Sequence, residues 1–374
     1  MRVGLNLLYL VPEEVGGSEI YARELIAALA AEEPDWEFVV FCGREASAVL
    51  PDDSWPSNVR VRELGFNARN KPARLAWELL ALPRAAKREK IELMHSLGQT
   101  TPWWGCGTRV VTILDLIYHH YPATFPRAAQ RGLEFVIPRG ARRADRIVAI
   151  SAATADDLAA SYGIDRAKID VTLLGAGFAE APRISSRAEI AETIGLPAGE
   201  FALSVASGHE HKNIPRLLKA FASLGAGRRL VVVGRSGLED EQLAATATEL
   251  GIADRVIFTG WVDEATLEGL YREAELFVYP TLMEGFGLPV LEAMHRGLPV
   301  ACSNVSSLPE VAGDAALTFN PLDESAIAEA LERLFTDADL RAELTVLGRA
   351  QAARFTWQRC AEDTLSSYRI ALAQ

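Results

Sequence analysis

Residues 276–299 read L-F-V-Y-P-T-L-M-E-G-F-G-L-P-V-L-E-A-M-H-R-G-L-P, and this segment carries the strongest indication of the fold. It opens with four apolar residues that predict a buried strand ending at Pro280. A glycine-containing loop follows, and a helix is predicted from Leu288 onward. A wholly apolar strand that leads through a loop into a helix is typical of a parallel sheet with crossover helices, so the segment predicts an α/β fold.

The same alternation of short apolar runs and amphipathic stretches fills the N-terminal half of the chain. A run such as V-V-T-I-L is apolar at nearly every position, as a strand buried on both faces requires. We predict strands at residues 3–9, 37–41, 59–64, 93–95, 110–113, 146–150 and 170–173. Helices are predicted between them at residues 18–31, 72–88, 127–142 and 152–162.

The stretch 175–186, G-A-G-F-A-E-A-P-R-I-S-S, has the composition of a linker, and we place a domain boundary there. Beyond it the alternation starts again. Strands are predicted at residues 201–206, 229–233, 256–258, 276–279 and 300–302. Helices are predicted at residues 215–224, 241–250, 288–296 and 325–335, and a last amphipathic helix opens after Phe355-Thr356-Trp357.

A chain of 374 residues is long enough for two domains of ordinary size. We predict two Rossmann-like, doubly wound domains at residues 1–178 and 183–355, followed by a C-terminal helix at 356–374 that crosses back to the first domain. Open parallel sheets bind ligands outside the carboxyl ends of their strands. The predicted ligand site is therefore a cleft across which the two domains face each other.

Composition and charge exclude several classes of protein. A formal net charge of −12 argues against nucleic acid as the main partner. The four cysteines show no metal-like spacing, which favours reduced thiols in the cytoplasm. The apolar N-terminal run is better explained by a buried first strand than by a signal peptide, and no run of 18 apolar residues predicts a membrane span.

Two glutamates flank the loop and helix start of the opening segment, with seven residues between them. Glu284 lies on the loop at the carboxyl end of the predicted strand, and Glu292 lies on the second turn of the following helix. Gly285 and Gly287 allow backbone N–H groups to approach a ligand closely, and the helix N-terminus favours an anion such as a diphosphate. Glu292 can accept two hydrogen bonds, as a ribose diol requires. A loop with merely exposed glutamates is the alternative.

A second polar loop follows the strand predicted at 201–206 and leads to Lys212 and Asn213. A lysine at a helix start can neutralise a phosphate as a point charge. His209 and His211 stand beside it and can add donors. The alternatives are a solvated lysine and histidines without a role.

A third loop, V-G-G-S at 15–18, follows the first predicted strand. Gly16 and Gly17 can bring backbone amides to a phosphate or a sugar, although a plain turn between strand and helix is the alternative. The chain contains no G-x-G-x-x-G fingerprint, which weakens a dehydrogenase interpretation. An epimerase or a phosphorylase on two such domains is a further rival, disfavoured by the Glu284–Glu292 segment and by chain length.

These segments together resemble the glycosyltransferase family 4 enzymes of the GT-B architecture, and within them the mannosyltransferase-B-like branch of surface-polysaccharide synthesis. The resemblance covers nearly the whole chain, and its most specific part is the Glu284–Glu292 segment. The other segments in the family's order are Gly16–Ser18, 110–118, 150–151 with 174–175, His211–Asn213, 231–234, 258–262, 306–316 and 355–357.

The resemblance implies a retaining hexosyltransferase that takes a sugar, best guessed as mannose, from a nucleoside-diphosphate sugar. The acceptor is expected to be a saccharide or a lipid-linked saccharide, with no metal and no cofactor besides the sugar nucleotide. The residues implied at the reaction centre are Glu284, Lys212 and Asp115. Those implied to bind the donor are Gly16, Gly17, His211, Asn213, Gly260, Gly285, Phe286, Gly287, Leu288 and Glu292.

Two positions depart from the family's pattern. The family commonly has a histidine before the aspartate of the first-domain loop, and here Leu114 precedes Asp115. His119 and His120 are a hypothetical replacement for it. An arginine about six residues before the lysine is also missing, and His209, His211 or Arg235 are candidates for its charge. These departures motivate an alternative function, a catalytically weakened protein that binds a sugar nucleotide without efficient transfer.

Residues 69–90 carry seven basic and two acidic side chains with leucines interleaved. Such a stretch can lie on an anionic membrane surface, where a lipid-linked acceptor would be found, and a solvated helix face is the alternative. Trp103 and Trp104 can stack on a sugar, enter a membrane interface or pack in the protein. We therefore expect a cytoplasmic protein, with peripheral contact at the inner face of the membrane through residues 69–90 as an additional hypothesis.

Overall fold

The computed structural model describes residues 1–12, 14–50, 55–176, 183–234 and 238–374, with only the backbone described at 238–240. Within these residues the chain forms two compact units. Unit 1 comprises Met1–Gly175 together with Phe355–Gln374, and unit 2 comprises Ala176–Arg354. Each unit holds one parallel sheet with helices between its strands, so the predicted α/β class with two Rossmann-like domains is confirmed. The predicted boundary at 175–186 includes residues 177–182, which lie outside the described residues.

The sheet of unit 1 has seven strands within the described residues, all parallel, in the order β3-β2-β1-β4-β5-β6-β7. The order reverses between β1 and β4, which makes their carboxyl ends the switch point of the sheet. The strands are β1 (Arg2–Leu7), β2 (Glu37–Cys42), β3 (Val59–Glu63), β4 (Leu93–Ser96), β5 (Thr108–Ile113), β6 (Arg146–Ala149) and β7 (Ile169–Val171).

The helices of unit 1 cover this sheet with apolar faces. In α1, for example, Tyr21, Leu25 and Leu29 are buried. The helices are α1 (Gly17–Glu32), α2 (Arg44–Ser47), α3 (Lys71–Ala76), α4 (Leu82–Arg88), α5 (Ile117–His120), α6 (Arg127–Arg143) and α7 (Ala152–Tyr162). The C-terminal helix of the chain, Trp357–Leu372, also packs in unit 1, against α1, β5 and β6.

The prediction of a single regular helix at 72–88 is wrong. It is divided into α3, a π-helical turn at Trp77–Ala81, and α4. Pro83 has no N–H to donate to the carbonyl four residues earlier, and the N–H of Leu82 instead bonds the carbonyl of Trp77, five residues back. Proline at the second position of α4 therefore accounts for the wider turn.

The first strand also ends earlier than predicted, at Leu7 rather than at Tyr9. The side chain of Asn6 accepts a hydrogen bond from the N–H of Leu8 at 3.1 Å. This local bond turns the backbone away from the ladder, because asparagine side chains compete with regular structure for backbone donors.

The sheet of unit 2 has six strands within the described residues, all parallel, in the order β10-β9-β8-β11-β12-β13. Its switch point lies between β8 and β11. The strands are β8 (Phe201–Val205), β9 (Arg229–Val233), β10 (Val256–Gly260), β11 (Leu276–Tyr279), β12 (Val300–Ser303) and β13 (Leu317–Phe319). The sequence analysis missed β13, because a run of three residues carries too little pattern.

The helices of unit 2 include several that the sequence analysis did not predict, among them Glu264–Glu273 and Ala338–Ala352, whose many charged residues obscure the apolar face. The helices are α8 (Arg187–Ile194), α9 (Ile214–Ala222), α10 (Leu238–Glu249), α11 (Glu264–Glu273), α12 (Leu288–His295), α13 (Leu308–Ala312), α14 (Glu324–Thr336) and α15 (Ala338–Ala352), and α16 (Trp357–Leu372) follows in unit 1. Within the described ranges, every helix is too short or too polar to span a lipid bilayer.

Candidate active site

One asparagine, Asn213, fixes the conformation of the loop after β8. A single 3-10 turn at Glu210–Lys212 ends at Asn213, whose φ of 60° lies in the left-handed region that asparagine tolerates. The buried amide of Asn213 donates to the carbonyl oxygens of Pro280 at 2.9 Å and Pro321 at 2.8 Å. Asn213 thereby ties the loop after β8 to the end of β11, the two strands that flank the switch point.

The loop after β11 is fastened to the same place from its own side. The hydroxyl of Thr281, which is fully buried, donates to the carbonyl of His211 at 2.8 Å. The N–H of Leu282 donates to the same carbonyl at 2.7 Å. The two loops identified in the sequence are therefore held side by side at the carboxyl edge of the sheet.

Lys212 and Glu284 meet at this edge. The ammonium of Lys212 lies 2.6 Å from Oε1 of Glu284 and 2.9 Å from the hydroxyl of Tyr279, to which it donates. Tyr279 donates its hydroxyl to the same carboxylate oxygen at 2.9 Å, and the hydroxyl oxygen of Thr281 lies 3.0 Å from it. The side chains of Lys212 and Glu284 are only 17% and 10% exposed, so their attraction is weakly screened.

Two serines after β12 shape the glutamate loop, and the sequence analysis gave them no role. Ser307 donates to the carbonyl of Phe286 at 2.7 Å, and Ser306 donates to that of Glu284 at 2.6 Å. Ser306 also accepts from the N–H of Glu284 at 3.2 Å. Both serines belong to the S-S-L-P-E-V segment that matches the family, and this match was the sequence feature that could have indicated their role.

Gly287 joins this loop to α12 in a conformation that needs glycine. Its φ is 108°, and a Cβ built there would lie 2.5 Å from Cδ2 of Leu308. Pro289 stands in the first turn of α12, where its missing N–H costs nothing. The predicted helix start at Leu288 is confirmed, and the positive end of the helix dipole lies beside Glu284 in the chain.

Glu292 is held apart from the Lys212–Glu284 pair. Its Oε2 accepts a hydrogen bond from the hydroxyl of Tyr271 at 2.8 Å. Burial raises the pKa of Glu292, while this hydrogen bond and the nearby charge of Arg296 oppose the rise. In the described part of the chain no direct hydrogen bond joins Glu292 to Lys212 or Glu284.

His211 and Gly260 also lie in unit 2. His211 is buried, and its burial, reinforced by the charge of Lys212, lowers the pKa of the imidazole to about 4. It therefore supplies a neutral ring beside the lysine near pH 7. Gly260 ends β10 with a φ of 67°, and its carbonyl accepts from the N–H of Gly234 at 3.2 Å. Arg235, a candidate for the missing arginine, lies outside the described residues.

The remaining predicted residues belong to unit 1. Gly16 caps the start of α1 with a φ of 55°, and Gly17 is the first residue of that helix. Asp115 follows β5, and its Oδ1 accepts from the N–H of Ile117 at 2.9 Å, which closes the turn before α5. The glycine loop and the aspartate loop thus each follow a strand of the unit 1 sheet.

The two histidines considered as replacements for the family histidine are bound to carboxylates on neighbouring helices. Nδ1 of His119 lies 2.8 Å from Glu134, and Nε2 of His120 lies 2.8 Å from Asp157. Tyr162 donates to the second oxygen of Glu134 at 2.8 Å. These bonds hold both imidazoles toward α6 and α7, which disfavours them as substitutes for the histidine that Leu114 replaces.

A cavity of about 640 Å³ opens elsewhere in unit 2. It lies beside the residues that precede β11 and β12, at the amino edge of the sheet. Two of its lining arginines are paired with carboxylates, Arg296 with Glu268 at 2.6 Å and Arg341 with Glu275 at 2.7 Å. We place the candidate site at the carboxyl edge, where the loops converge on Lys212.

No group of three or more potential metal-ligating side chains occurs among the described residues. The chain does contain one Asp-x-Asp triplet, Asp337-Ala338-Asp339, although the sequence analysis expects no Asp-x-Asp cation site. Asp337 caps α15 by accepting from the N–H of Leu340 at 2.9 Å, so the triplet has a structural role. Metal independence stays a prediction.

Comparison with known families matches both units. Residues 15–175 match the model of Glycosyltransferase Family 4, and residues 186–351 match that of Glycosyl transferases group 1. O-antigen chain mannosyltransferase B of Escherichia coli is 31% identical over 366 residues, which cover 94% of this chain and 95% of that protein. The serotype-specific mannosyltransferase WbdA of the same organism is 36% identical over 238 residues, 60% of this chain and 29% of WbdA.

Solved structures show the same fold at lower identity. Sucrose-phosphate synthase of Thermosynechococcus elongatus superposes with a TM-score of 0.76 at 22% identity, covering 99% of this chain and 98% of the other. HepE of Anabaena, solved with UDP and glucose, has a TM-score of 0.75 at 17% identity and covers 98% and 99%. The two units are those of GT-B glycosyltransferases.

This protein is a glycosyltransferase. The full-length match and both family models show more narrowly that the chain belongs to glycosyltransferase family 4, in its mannosyltransferase-B-like branch.

Proposed function

We propose that this protein is a retaining hexosyltransferase of surface-polysaccharide biosynthesis. It moves a hexose, with mannose as the first candidate, from a nucleoside-diphosphate sugar to a saccharide or lipid-linked saccharide. The observation that carries the proposal is the convergence of Lys212, Glu284 and the start of α12 on one edge of the unit 2 sheet. The relatives named for mannose transfer and O-antigen chains support the choice of sugar and pathway.

Each group at this edge has a role that its chemistry suits. Lys212 and the N-terminus of α12 stabilise the negative charge of the donor diphosphate. Glu284 accepts hydrogen bonds from the hydroxyls of the donor sugar, and Glu292 does so from the ribose diol. In unit 1, the family resemblance assigns the backbone amides around Gly17 to the diphosphate and Asp115 to the reaction centre. No metal is expected, because the lysine and the helix terminus supply positive charge.

We assign the transfer to a front-face substitution. The bond between the anomeric carbon and the phosphate oxygen breaks first, which develops positive charge on the sugar and negative charge on the diphosphate. The acceptor hydroxyl then bonds to the same face of the anomeric carbon, and its proton passes to the leaving phosphate oxygen. Groups preorganised to stabilise the leaving charge contribute about 3–4 kcal/mol each in comparable sites.

Without donor, Lys212 already has an anionic partner. The ammonium of Lys212 has three N–H donors, so it can bind the diphosphate and Glu284 at the same time or exchange one for the other. Glu284 retains the hydrogen bond from the hydroxyl of Tyr279 when Lys212 turns to the phosphate. The carboxylate thus stays hydrogen-bonded in either arrangement.

Thermal unfolding with GDP, UDP, ADP and NAD tests the donor site. A ligand at about 100 times its dissociation constant adds roughly 2.7 kcal/mol of stability. We expect one nucleoside diphosphate to raise the melting temperature, and the shift to shrink in Lys212→Ala. The proposal is contradicted if NAD alone raises the melting temperature, or if none of the three nucleoside diphosphates raises it.

A second candidate function is a protein that binds the donor and transfers the sugar poorly. The observation that favours it is Leu114, together with the bonds that hold His119 and His120 to carboxylates. Release of nucleoside diphosphate that depends on an added acceptor separates the two. The enzyme releases it with repeated turnover, whereas the weakened protein shows a melting shift without release.

We also propose that unit 1 contacts the membrane, through a surface wider than residues 69–90. This aromatic–arginine patch comprises Arg84, Trp103, Trp104, Phe135, Arg139 and Arg143. The guanidinium of Arg84 lies 5.8 Å from the ring of Trp104, and those of Arg139 and Arg143 lie 3.5 and 5.3 Å from the rings of Phe135 and Trp103. Trp104 and Phe135 are 47% and 49% exposed.

The chemistry of the patch suits an anionic lipid surface. Aromatic side chains settle at the level of lipid headgroups, and arginines pair with their phosphates. Within the described residues none of the three arginines forms a salt bridge with a carboxylate, so their charge is available. A net charge of −12 repels the rest of the protein from such a surface, which would orient this patch toward it.

A further inference from the structure

Three aromatic rings form a buried row beneath the candidate site. The ring of Tyr271, on α11, stacks on that of Phe277 with centroids 5.8 Å apart. Phe277 in turn stacks on Tyr279 at 5.9 Å, and both lie on β11. All three side chains are at most 1% exposed. The row therefore links α11 to the end of β11 through rigid rings packed in the core.

Each end of the row carries a hydroxyl, and each hydroxyl meets one of the two glutamates. Tyr279 donates to Glu284 at 2.9 Å and accepts from Lys212 at 2.9 Å. Tyr271 donates to Glu292 at 2.8 Å. The middle ring, Phe277, has no hydroxyl. The row thus joins two carboxylates that make no direct hydrogen bond to each other in the described part of the chain.

Packing alone does not explain these hydroxyls. A phenylalanine fills the same space, as Phe277 does, and a buried hydroxyl is unfavourable unless it has a partner. Burial and the adjacent glutamates raise the pKa of both tyrosines well above the ordinary value, so both phenols keep their protons. They are permanent hydrogen-bond donors to the carboxylates.

We propose that Tyr279 and Tyr271 are positioning residues of the donor site, each holding one glutamate of the pair in place. Tyr279 fixes Glu284 for the transferred sugar when Lys212 engages the diphosphate. Tyr271 fixes Glu292 for the ribose diol. This assignment rests on the proposed function, and it extends that function to two residues that touch no donor atom themselves.

The two tyrosines have different expected kinetic effects. Tyr279→Phe loosens Glu284, which acts on the sugar during transfer, so kcat falls about tenfold while the Kd for the nucleoside diphosphate stays within about twofold of wild type. Tyr271→Phe loosens Glu292, so the Kd for the nucleoside diphosphate and the donor KM rise about five- to tenfold with kcat little changed.

The matched control is Tyr368→Phe. Tyr368 is a buried tyrosine of unit 1 whose hydroxyl bonds His95 at 2.7 Å, so its loss reports on stability without touching the donor site. A further comparison uses a 2′,3′-dideoxynucleoside diphosphate. The affinity penalty of Tyr271→Phe is expected to vanish with this ligand, because it lacks the diol that Glu292 would bind.

The outcomes separate this proposal from the proposed function. Wild-type protein that binds no nucleoside diphosphate overturns both. Wild-type protein that binds and transfers, with either Tyr→Phe variant unchanged, overturns the tyrosine assignment alone. The tyrosine assignment is also overturned if both variants lose kcat and affinity to the same extent as Tyr368→Phe. It is overturned as well if the affinity loss of Tyr271→Phe persists with the dideoxynucleoside diphosphate. The kcat and affinity split described above supports it.

Discussion

The ammonium of Lys212 lies 2.6 Å from Oε1 of Glu284, and the two residues are 72 positions apart in the chain. They come from loops that follow β8 and β11, the strands on either side of the switch point of the unit 2 sheet. Parallel strands present their carboxyl ends at one edge, and the reversal of strand order leaves a crevice there. The ion pair occupies that crevice and marks where the donor is expected.

Replacing either member of this pair should reduce activity strongly. Lys212→Ala and Glu284→Ala are each expected to lower kcat/KM by more than tenfold, since one removes the phosphate charge and the other the sugar contact. Lys212→Ala should also cost about 1–3 kcal/mol in the free energy of unfolding, because a nearly buried carboxylate loses its cation.

Lys219→Ala is the matched control. Lys219 lies on α9 and pairs with Glu324 at 3.5 Å, with both side chains about half exposed. Its loss should change stability by less than about 0.5 kcal/mol and leave transfer intact. Near-wild-type turnover in Lys212→Ala or Glu284→Ala would contradict the assignment of the site.

Gly287→Ala tests the junction between the glutamate loop and α12. The φ of 108° and the 2.5 Å approach to Leu308 both oppose a Cβ, so we expect a loss of about 1–3 kcal/mol in unfolding free energy together with weaker nucleotide binding. Chemical denaturation and calorimetric titration measure the two effects. Gly225→Ala, where a Cβ meets open space, should have little effect on either.

Acidification should destabilise unit 1 through His95. Burial lowers the pKa of His95 to about 3, from an ordinary value of 6.5. The unfolded chain binds a proton below pH 6.5 and the folded chain does not. The contribution of His95 to the free energy of unfolding is therefore fully present above pH 6.5. It falls by about 1.4 kcal/mol per pH unit as the pH drops toward 3.

Denaturant unfolding at pH 7.5 and 5.5 measures this dependence. His95→Gln should show a smaller loss between the two pH values than wild type. His295→Gln, at an exposed position of unit 2, should retain the wild-type difference. An unchanged pH dependence in His95→Gln would contradict the interpretation.

The aromatic–arginine patch should decide binding to lipid vesicles. Wild-type protein is expected to co-sediment with vesicles containing anionic lipid, less so at high salt, and not with purely zwitterionic vesicles. Trp104→Ser with Phe135→Ser, and Lys87→Glu with Arg88→Glu, should each reduce the bound fraction severalfold. Trp261→Ser removes a tryptophan of unit 2 that is 67% exposed and should have no effect. Equal binding of all variants would refute the membrane contact.

Much of the fold was predictable because its signals are local. Buried strands such as β9 and β11 have the predicted bounds, since an apolar run bounded by polar turns needs no tertiary context. The π-helical turn at Trp77–Ala81 was missed because one helical pattern was carried across Pro83, although a proline inside a helix removes a backbone hydrogen bond. The predicted roles of Lys212, Glu284 and Glu292 stay predictions until tested.

The order of elements and the loops at the strand ends can be argued from neighbouring residues in the chain, because each depends on contacts within a few positions. The partners of the charged groups cannot. Tyr279 and Tyr271 look like ordinary core residues in the sequence, and Ser306 and Ser307 like a turn. Only packing of the sheet brings their hydroxyls to Glu284, to Glu292 and to the loop backbone, since the choice of partner is set by strand order and helix placement.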